Sequence, residues 1–170
     1  RAATERNDYL KQPYYEVFRD VNELGIQLAY RTTPGGYHPL HWHEELELLF
    51  PLNGDATVTI DGSTYQLRRR QLLAIESGQV HSTNTYSDQL MLLCIHISKR
   101  LMERYLPDIE LFRLYCIPDE ITDQQFPEYL NLCQMAETLT RLYIEEAAAG
   151  FLESEGIIRQ ILARLIRYFS

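Results

Sequence analysis

The chain has 170 residues, 45% of them hydrophobic and 24% charged, with a net charge of −8. That length suits one compact domain with one core, and the composition excludes a largely disordered chain. The acidic balance argues against a face that grips nucleic-acid phosphates, and no apolar run is long enough to span a bilayer.

The chain opens RAATERNDYL, without an initiator Met and without the charged-then-apolar leader of a secreted protein. A trimmed start and a cytoplasmic location are therefore expected. Residues 1–20 read as an amino-terminal arm in which Tyr9, Pro13, Tyr14, Tyr15 and Phe18 are aromatic or stiff but show no period. The arm is either a lid over a pocket or a loosely ordered leader against the fold.

Residues 21–98 read as strands. IQLAYRT (26–32) alternates apolar with polar residues and ends at the turn PGG (34–36). LELLF (46–50) runs to NG (53–54), ATVTI (56–60) to DG (61–62), and STYQL (63–67) follows. Short runs rich in Val, Ile, Thr and Tyr that meet at Asn-Gly or Asp-Gly are hairpins. QLLAI (71–75) and LMLLCIHI (90–97) complete a set whose close spacing predicts a sandwich or closed barrel. The run Arg68, Arg69 and Arg70 reads as a solvated hairpin edge rather than a binding patch. Cys94, Cys116 and Cys133 are odd in number and far apart, as core thiols of a reducing compartment would be.

Residues 99–170 read as a helical tail. Between Glu128 and Ala149, Leu132, Met135, Ala136, Leu139, Leu142 and Tyr143 recur at steps of three and four, one face of a helix. Gly150 is the expected stop and Ser154 the expected cap of a second helix. Its wide apolar stripe is Ile157, Ile158, Ile161, Leu162, Leu165, Ile166 and Phe169. Such a stripe either covers the β-structure or pairs two chains, and its breadth favours pairing.

Chemistry concentrates in GGYHPLHWHEELELLFPLNG, Gly35 to Gly54. His41, His43 and Glu47 share a parity, so one continuous strand would point them the same way. With His81 brought across from a neighbouring strand, three imidazoles and a carboxylate suit a divalent transition metal such as zinc or nickel. Glu45 has the same parity, so spacing alone does not exclude it. The same polar group would equally serve to hydrogen-bond an organic effector. Tyr30, Arg31, Tyr37, His38 and Trp42 are candidates to line that pocket. Trp42 has the opposite parity, and packing beneath the helices is favoured for it over stacking on a ligand. His96 reads as a satisfied core or edge histidine rather than a ligand.

Gly36, His41-Trp42-His43, Glu47 and Gly54 resemble the first cupin motif, and Gly62, Gly78 and His81 the second. In cupins the two histidines and the glutamate of the first motif, with the histidine of the second, are metal ligands, and all four have counterparts here. Glu76 stands where a proline is usual, Asn84 lies one place early, and the Gly36–His41 interval is one residue short. More specifically, residues 25 to 170 are similar to the amino-terminal domain of AraC-type transcription regulators. The resemblance implies a mainly β fold, a jelly-roll-like cupin barrel followed by two or more carboxyl-terminal helices. It implies a sensing domain for a small-molecule effector, a sugar being one candidate, that forms a homodimer through the tail. DNA would be bound only by a carboxyl-terminal helix-turn-helix domain, a pattern not found in these residues. The rival reading is a metal-dependent cupin dioxygenase or isomerase, for which Glu45, Glu76 and Tyr86 are the only candidate acids or bases. A third is a binding module with no DNA partner.

Overall fold

The computed structural model describes residues 13–16, 26–33, 36–85, 90–146 and 148–170. Its strands are β1 (Tyr14–Tyr15), β2 (Ile26–Thr33), β3 (Gly36–Trp42), β4 (Leu46–Asn53), β5 (Ala56–Ile60), β6 (Ser63–Leu67), β7 (Leu73–Ile75), β8 (His81–Thr85) and β9 (Leu90–Ile97). Helices α1 (Lys99–Tyr105), α2 (Phe126–Ile144) and α3 (Gly150–Tyr168) follow, with single 3₁₀ turns at Ile109–Leu111 and Pro118–Glu120. Most strands lie where alternation and turn residues place them. Asp61 (φ 48°) and Gly62 (φ 87°) make the left-handed two-residue turn joining β5 to β6. β3 and β8 escape the pattern, because GYHPLHW and HSTNT carry little apolar alternation.

The expected closed barrel takes the form of two hydrogen-bonded sheets among the described residues. One has the order β1-β3-β8-β5-β6 and the other β2-β9-β4-β7. Leu49, Leu73, Ile75, Leu92 and Cys94 of the second sheet share a buried cluster with Ala56, Val58, Ile60 and Leu67 of the first. The sheets therefore face each other across an apolar layer.

β4 and β9 of the four-stranded sheet are buried on both sides. Leu46, Leu48 and Phe50 of β4 and Leu93, Ile95 and Ile97 of β9 turn outward to a second cluster. There they meet Leu132, Ala136 and Leu139 of α2, Ile158, Ile161, Leu162 and Leu165 of α3, and Phe169. This double burial explains why LMLLCIHI is nearly all apolar. Each such side chain stabilises the fold by about 1.5–3 kcal/mol.

Tyr129 fastens the helical layer to the sheet. Its hydroxyl accepts from Leu72 N–H at 2.9 Å and donates to Leu72 C=O at 3.0 Å, just before the edge strand β7. Gln125 Nε2 donates to Tyr168 C=O at 3.0 Å, and Arg164 pairs with Glu128 between α2 and α3.

The boundary between the long helices differs from the sequence reading. Gly150 begins α3 rather than ending α2, and Ser154, the expected cap, is buried inside α3. The reversal comes earlier, because Glu146 (φ 46°) and Ala149 (φ 60°) both adopt left-handed backbone and turn the chain after Ile144. The stripe expected to pair two chains is largely consumed within one. Ile158, Ile161, Leu162, Leu165 and Phe169 are core residues, and only Ile157 and Ile166 remain partly buried at its margin.

The arginine run is held by its own protein, through Arg68–Asp119 (3.6 Å), Arg70–Glu137 (3.4 Å) and an Arg69 Nε bond to Leu52 C=O (3.2 Å). Cys94, Cys116 and Cys133 are free thiols, all buried. Among the described residues no helix is long and apolar enough to cross a membrane.

Candidate metal centre and ligand cavity

His41, His43, Glu47 and His81 meet, all buried, with one ligand atom from each lying within 4.8 Å of all the others. The continuous strand expected to align them is absent. β3 ends at Trp42, the chain bends at residues 44–45, and Glu47 lies on β4 of the opposite sheet. The segment HWHEELE thus crosses between sheets, and that crossing gathers the side chains. His41 faces His81 directly in the β3–β8 ladder, and Glu47 faces His96 in the β4–β9 ladder. His43 sits in the crossover between the two pairs.

Backbone carbonyls fix the imidazole tautomers. Nδ1–H of His41 donates to Pro39 C=O at 2.9 Å, that of His43 to Glu45 C=O at 3.0 Å, and that of His81 to Gln79 C=O at 2.8 Å. A carbonyl can only accept, so each Nδ1 carries hydrogen and each Nε2 faces the site. This is the outer-shell arrangement that orients metal-binding histidines. Nε2 of His43 and of His81 lie 3.1 and 2.9 Å from the same oxygen, Glu47 Oε2. A carboxylate oxygen also only accepts, so the three atoms need positive charge among them, as imidazolium protons or as a cation. The donor set therefore fits a metal ion.

Electrostatics agree. Burial alone would raise the Glu47 pKa, but hydrogen bonds from His43, His81 and His96 override it and hold the carboxyl well below its usual range. Burial opposes charge on His43 as well, yet Glu47 beside it leaves its pKa raised. His41 is pulled down to about 4 by burial and then by the neighbouring His81 charge.

His96, set aside in the sequence, belongs to the site. It is buried, and its Nε2 lies 3.4 Å from Glu47 Oε1, the oxygen that His43 and His81 do not touch. The available signal was its parity with Leu90, Leu92 and Cys94 on one face of β9. All five histidines of the chain thus gather here, since His38 lies at the rim with its ring 4.2 Å from that of His41.

A cavity of about 150 Å³ adjoins the cluster, lined by Glu16, His38, His41, Glu47, Thr83 and His96 among others. Of the expected pocket residues, Tyr37 and His38 line it. Trp42 neither lines it nor lies under the helices. It is exposed and its ring sits 4.6 Å from that of Tyr15. Tyr30 and Arg31 lie on β2, with side chains outside what is described. Tyr86 is also outside the described residues, as are Tyr9 and Phe18 of the arm. The sequence reading missed Glu16, Thr83 and Thr85, along with the apolar wall of Leu49, Leu90, Leu92 and Cys94.

Glu16 arrives because β1 pairs in parallel with β3, Tyr14 opposite His41 and Tyr15 opposite Trp42, and Glu16 N–H donates to Trp42 C=O at 2.9 Å. Glu45 Oε2 lies 3.6 Å from His43 Nδ1, on the side of the ring away from Glu47. Glu76, the departure from the cupin pattern, has a structural use. Its Oε1 accepts from Leu114 N–H at 2.7 Å and its own N–H donates to Gln79 Oε1 at 2.8 Å.

Compared with known families, residues 23–162 match the AraC-like ligand binding domain. No curated protein matches the chain. Among solved structures it is similar to the cupin domain of Schizosaccharomyces pombe Cnp3, at 15% identity over 52% of this chain and 66% of that one, TM-score 0.45. A Bacillus subtilis oxalate decarboxylase with Mn(II) centres is 25% identical over 44% of this chain and 21% of its own, TM-score 0.39. A predicted oxalate decarboxylase from Thermotoga maritima is 24% identical over 42% and 64%, TM-score 0.39. The matched region spans about a fifth of the Bacillus chain and just under two thirds of the other two.

Proposed function

Because the chain belongs to the AraC-like ligand-binding domain family, we propose that it is the effector-sensing and pairing domain of an AraC-type transcription regulator. The observation that carries this reading is the family match over residues 23–162, which contains every residue lining the cavity beside the histidine cluster except Glu16. The effector sits in that cavity, between the apolar wall and the polar groups His38, Thr83 and His96. A space of about 150 Å³ is comparable to a protein cavity that holds benzene. A ligand as large as a sugar needs more room than this, and the segment carrying Glu16, which lines the cavity, is placed to yield it. Effector binding then biases the arm between two positions, in proportion to its differential affinity for them.

His41, His43, Glu47 and His81 would hold a divalent ion of the zinc or nickel class, which would supply Lewis acidity beside the cavity. Pairing of two copies uses apolar side chains left exposed near the turn between α2 and α3, namely Tyr143, Ile144, Phe151 and Leu152. Contacts to DNA belong to residues outside this acidic domain, in the cytoplasm.

The test is a thermal-shift screen of metal-loaded protein against small polar metabolites. A ligand at 100 times its Kd stabilises by about 2.7 kcal/mol, a shift of several degrees, and Thr83→Val should abolish it. Reading the coding sequence beyond Ser170 should reveal paired helix-turn-helix units, and a stop codon there would defeat the regulator assignment.

One observation favours a second reading, a metal-dependent cupin enzyme: a buried metal-binding set opens directly onto a cavity. Multi-turnover conversion of a screened ligand, lost in a folded His43→Ala variant, would select it.

A further inference from the structure

Beside the buried cluster lies a second group of donors, Glu16, His38 and His41, of which the cupin pattern accounts for His41 alone. Glu16 Oε2 is 3.3 Å from His41 Nε2 and 3.6 Å from His38 Nε2, and ligand atoms of all three residues lie within 4.8 Å of one another. The His41 tautomer is set, because its Nδ1–H is committed to Pro39 C=O. Its Nε2 and the Glu16 carboxylate therefore confront each other, and a positive charge belongs between them. His38 completes a set of two imidazoles and one carboxylate at the mouth of the cavity, where solvent can fill further coordination positions. Tyr14 Oη, 3.2 Å from His38 Nε2, comes from the same short strand that delivers Glu16.

We propose that Glu16, His38 and His41 form a second, shallower cation site for a zinc-class divalent ion, one that ties the amino-terminal segment to β3. His41 has a single Nε2 lone pair, so it serves this site or the buried one but not both at once. An ion at the rim leaves His43, Glu47 and His81 as the inner set. The position of the arm is thereby coupled to which site His41 serves. The inference stands on this geometry and does not depend on the sensing role.

His38 is the direct reporter, since it is not a ligand of the buried set. The experiment follows histidine ring ¹⁵N shifts of the full chain during Zn²⁺ titration, for the wild type and for Glu16→Gln. The His38 Nε2 resonance should move in the wild type. In Glu16→Gln it should need more than about 10-fold higher Zn²⁺, the lower bound for loss of even an outer partner. His43 and His81 should still respond in that variant, which also reports that it is folded. A His38 resonance that stays in place throughout the titration, or one that responds at the same Zn²⁺ concentration in both proteins, overturns the rim site. In the first case a proton alone bridges Glu16 and His41.

Discussion

Glu47 carries an unusual demand among the described side chains. It is a buried carboxylate whose two oxygens serve three imidazoles, at 3.1, 2.9 and 3.4 Å. Glu47→Gln replaces one acceptor by a donor that faces Nε2 hydrogens or a cation, so both apo stability and metal affinity should fall. Metal content after equilibrium dialysis against Zn²⁺ should drop from about one tightly bound equivalent to well under a tenth of that at matched free metal, since loss of an outer partner already costs 10–100-fold. Glu76 gives a contrasting case. Replacing it by the proline usual in cupins removes the carboxylate that accepts Leu114 N–H and the N–H that reaches Gln79. Urea unfolding of Glu76→Pro should show a loss of about 1–3 kcal/mol, with metal binding retained.

At the scale of elements, the helical tail is a third layer of the domain rather than an appendage. α3 sends Ile158, Ile161, Leu162 and Leu165 against β4 and β9, so Ile161→Ala should cost about 2–5 kcal/mol. The Tyr129 hydroxyl fastens α2 to the residue preceding the edge strand β7. Tyr129→Phe leaves the Leu72 N–H and C=O without that partner in a dry setting. A cost of about 1–3 kcal/mol is expected, read as a lower urea midpoint at unchanged m-value. The short β1 strand works differently, because its few backbone bonds to β3 can open at little cost. That makes it a suitable moving part beside the buried site.

For the whole molecule, both faces of β4 and β9 are filled, and this governs reactivity as well as stability. All three cysteines are buried, and burial pushes the Cys116 and Cys133 thiols upward, away from the reactive thiolate. A thiol-reactive dye should label none of them in the native protein and three after denaturation, and rapid native labelling would show that the helical layer opens. With most of the α3 stripe buried, the proposed pairing surface is the exposed apolar group near the α2–α3 turn. Sedimentation at micromolar concentration should give a dimer for the wild type and a monomer for Phe151→Glu combined with Leu152→Glu, with the metal content of both unchanged.

The strands at 26–33, 46–53, 56–60, 63–67 and 90–97, the DG turn and the two long helices were legible along the chain. Alternation, turn residues and helical spacing are local properties, and neighbours in sequence express them without help. That His41, His43, Glu47 and His81 come together could be read from the chain too, through motif resemblance, though their shared parity was the wrong geometric reason. The direction of a side chain depends on which sheet its strand joins, and only tertiary pairing decided that β3 and β4 lie in opposite sheets. The same pairing brought His96 across to Glu47 and Glu16 across to His41, contacts that no spacing along the chain encodes. It also spent the α3 stripe inside the monomer, because an apolar face is buried against whatever surface the fold offers first, and here that surface was the protein's own sheet.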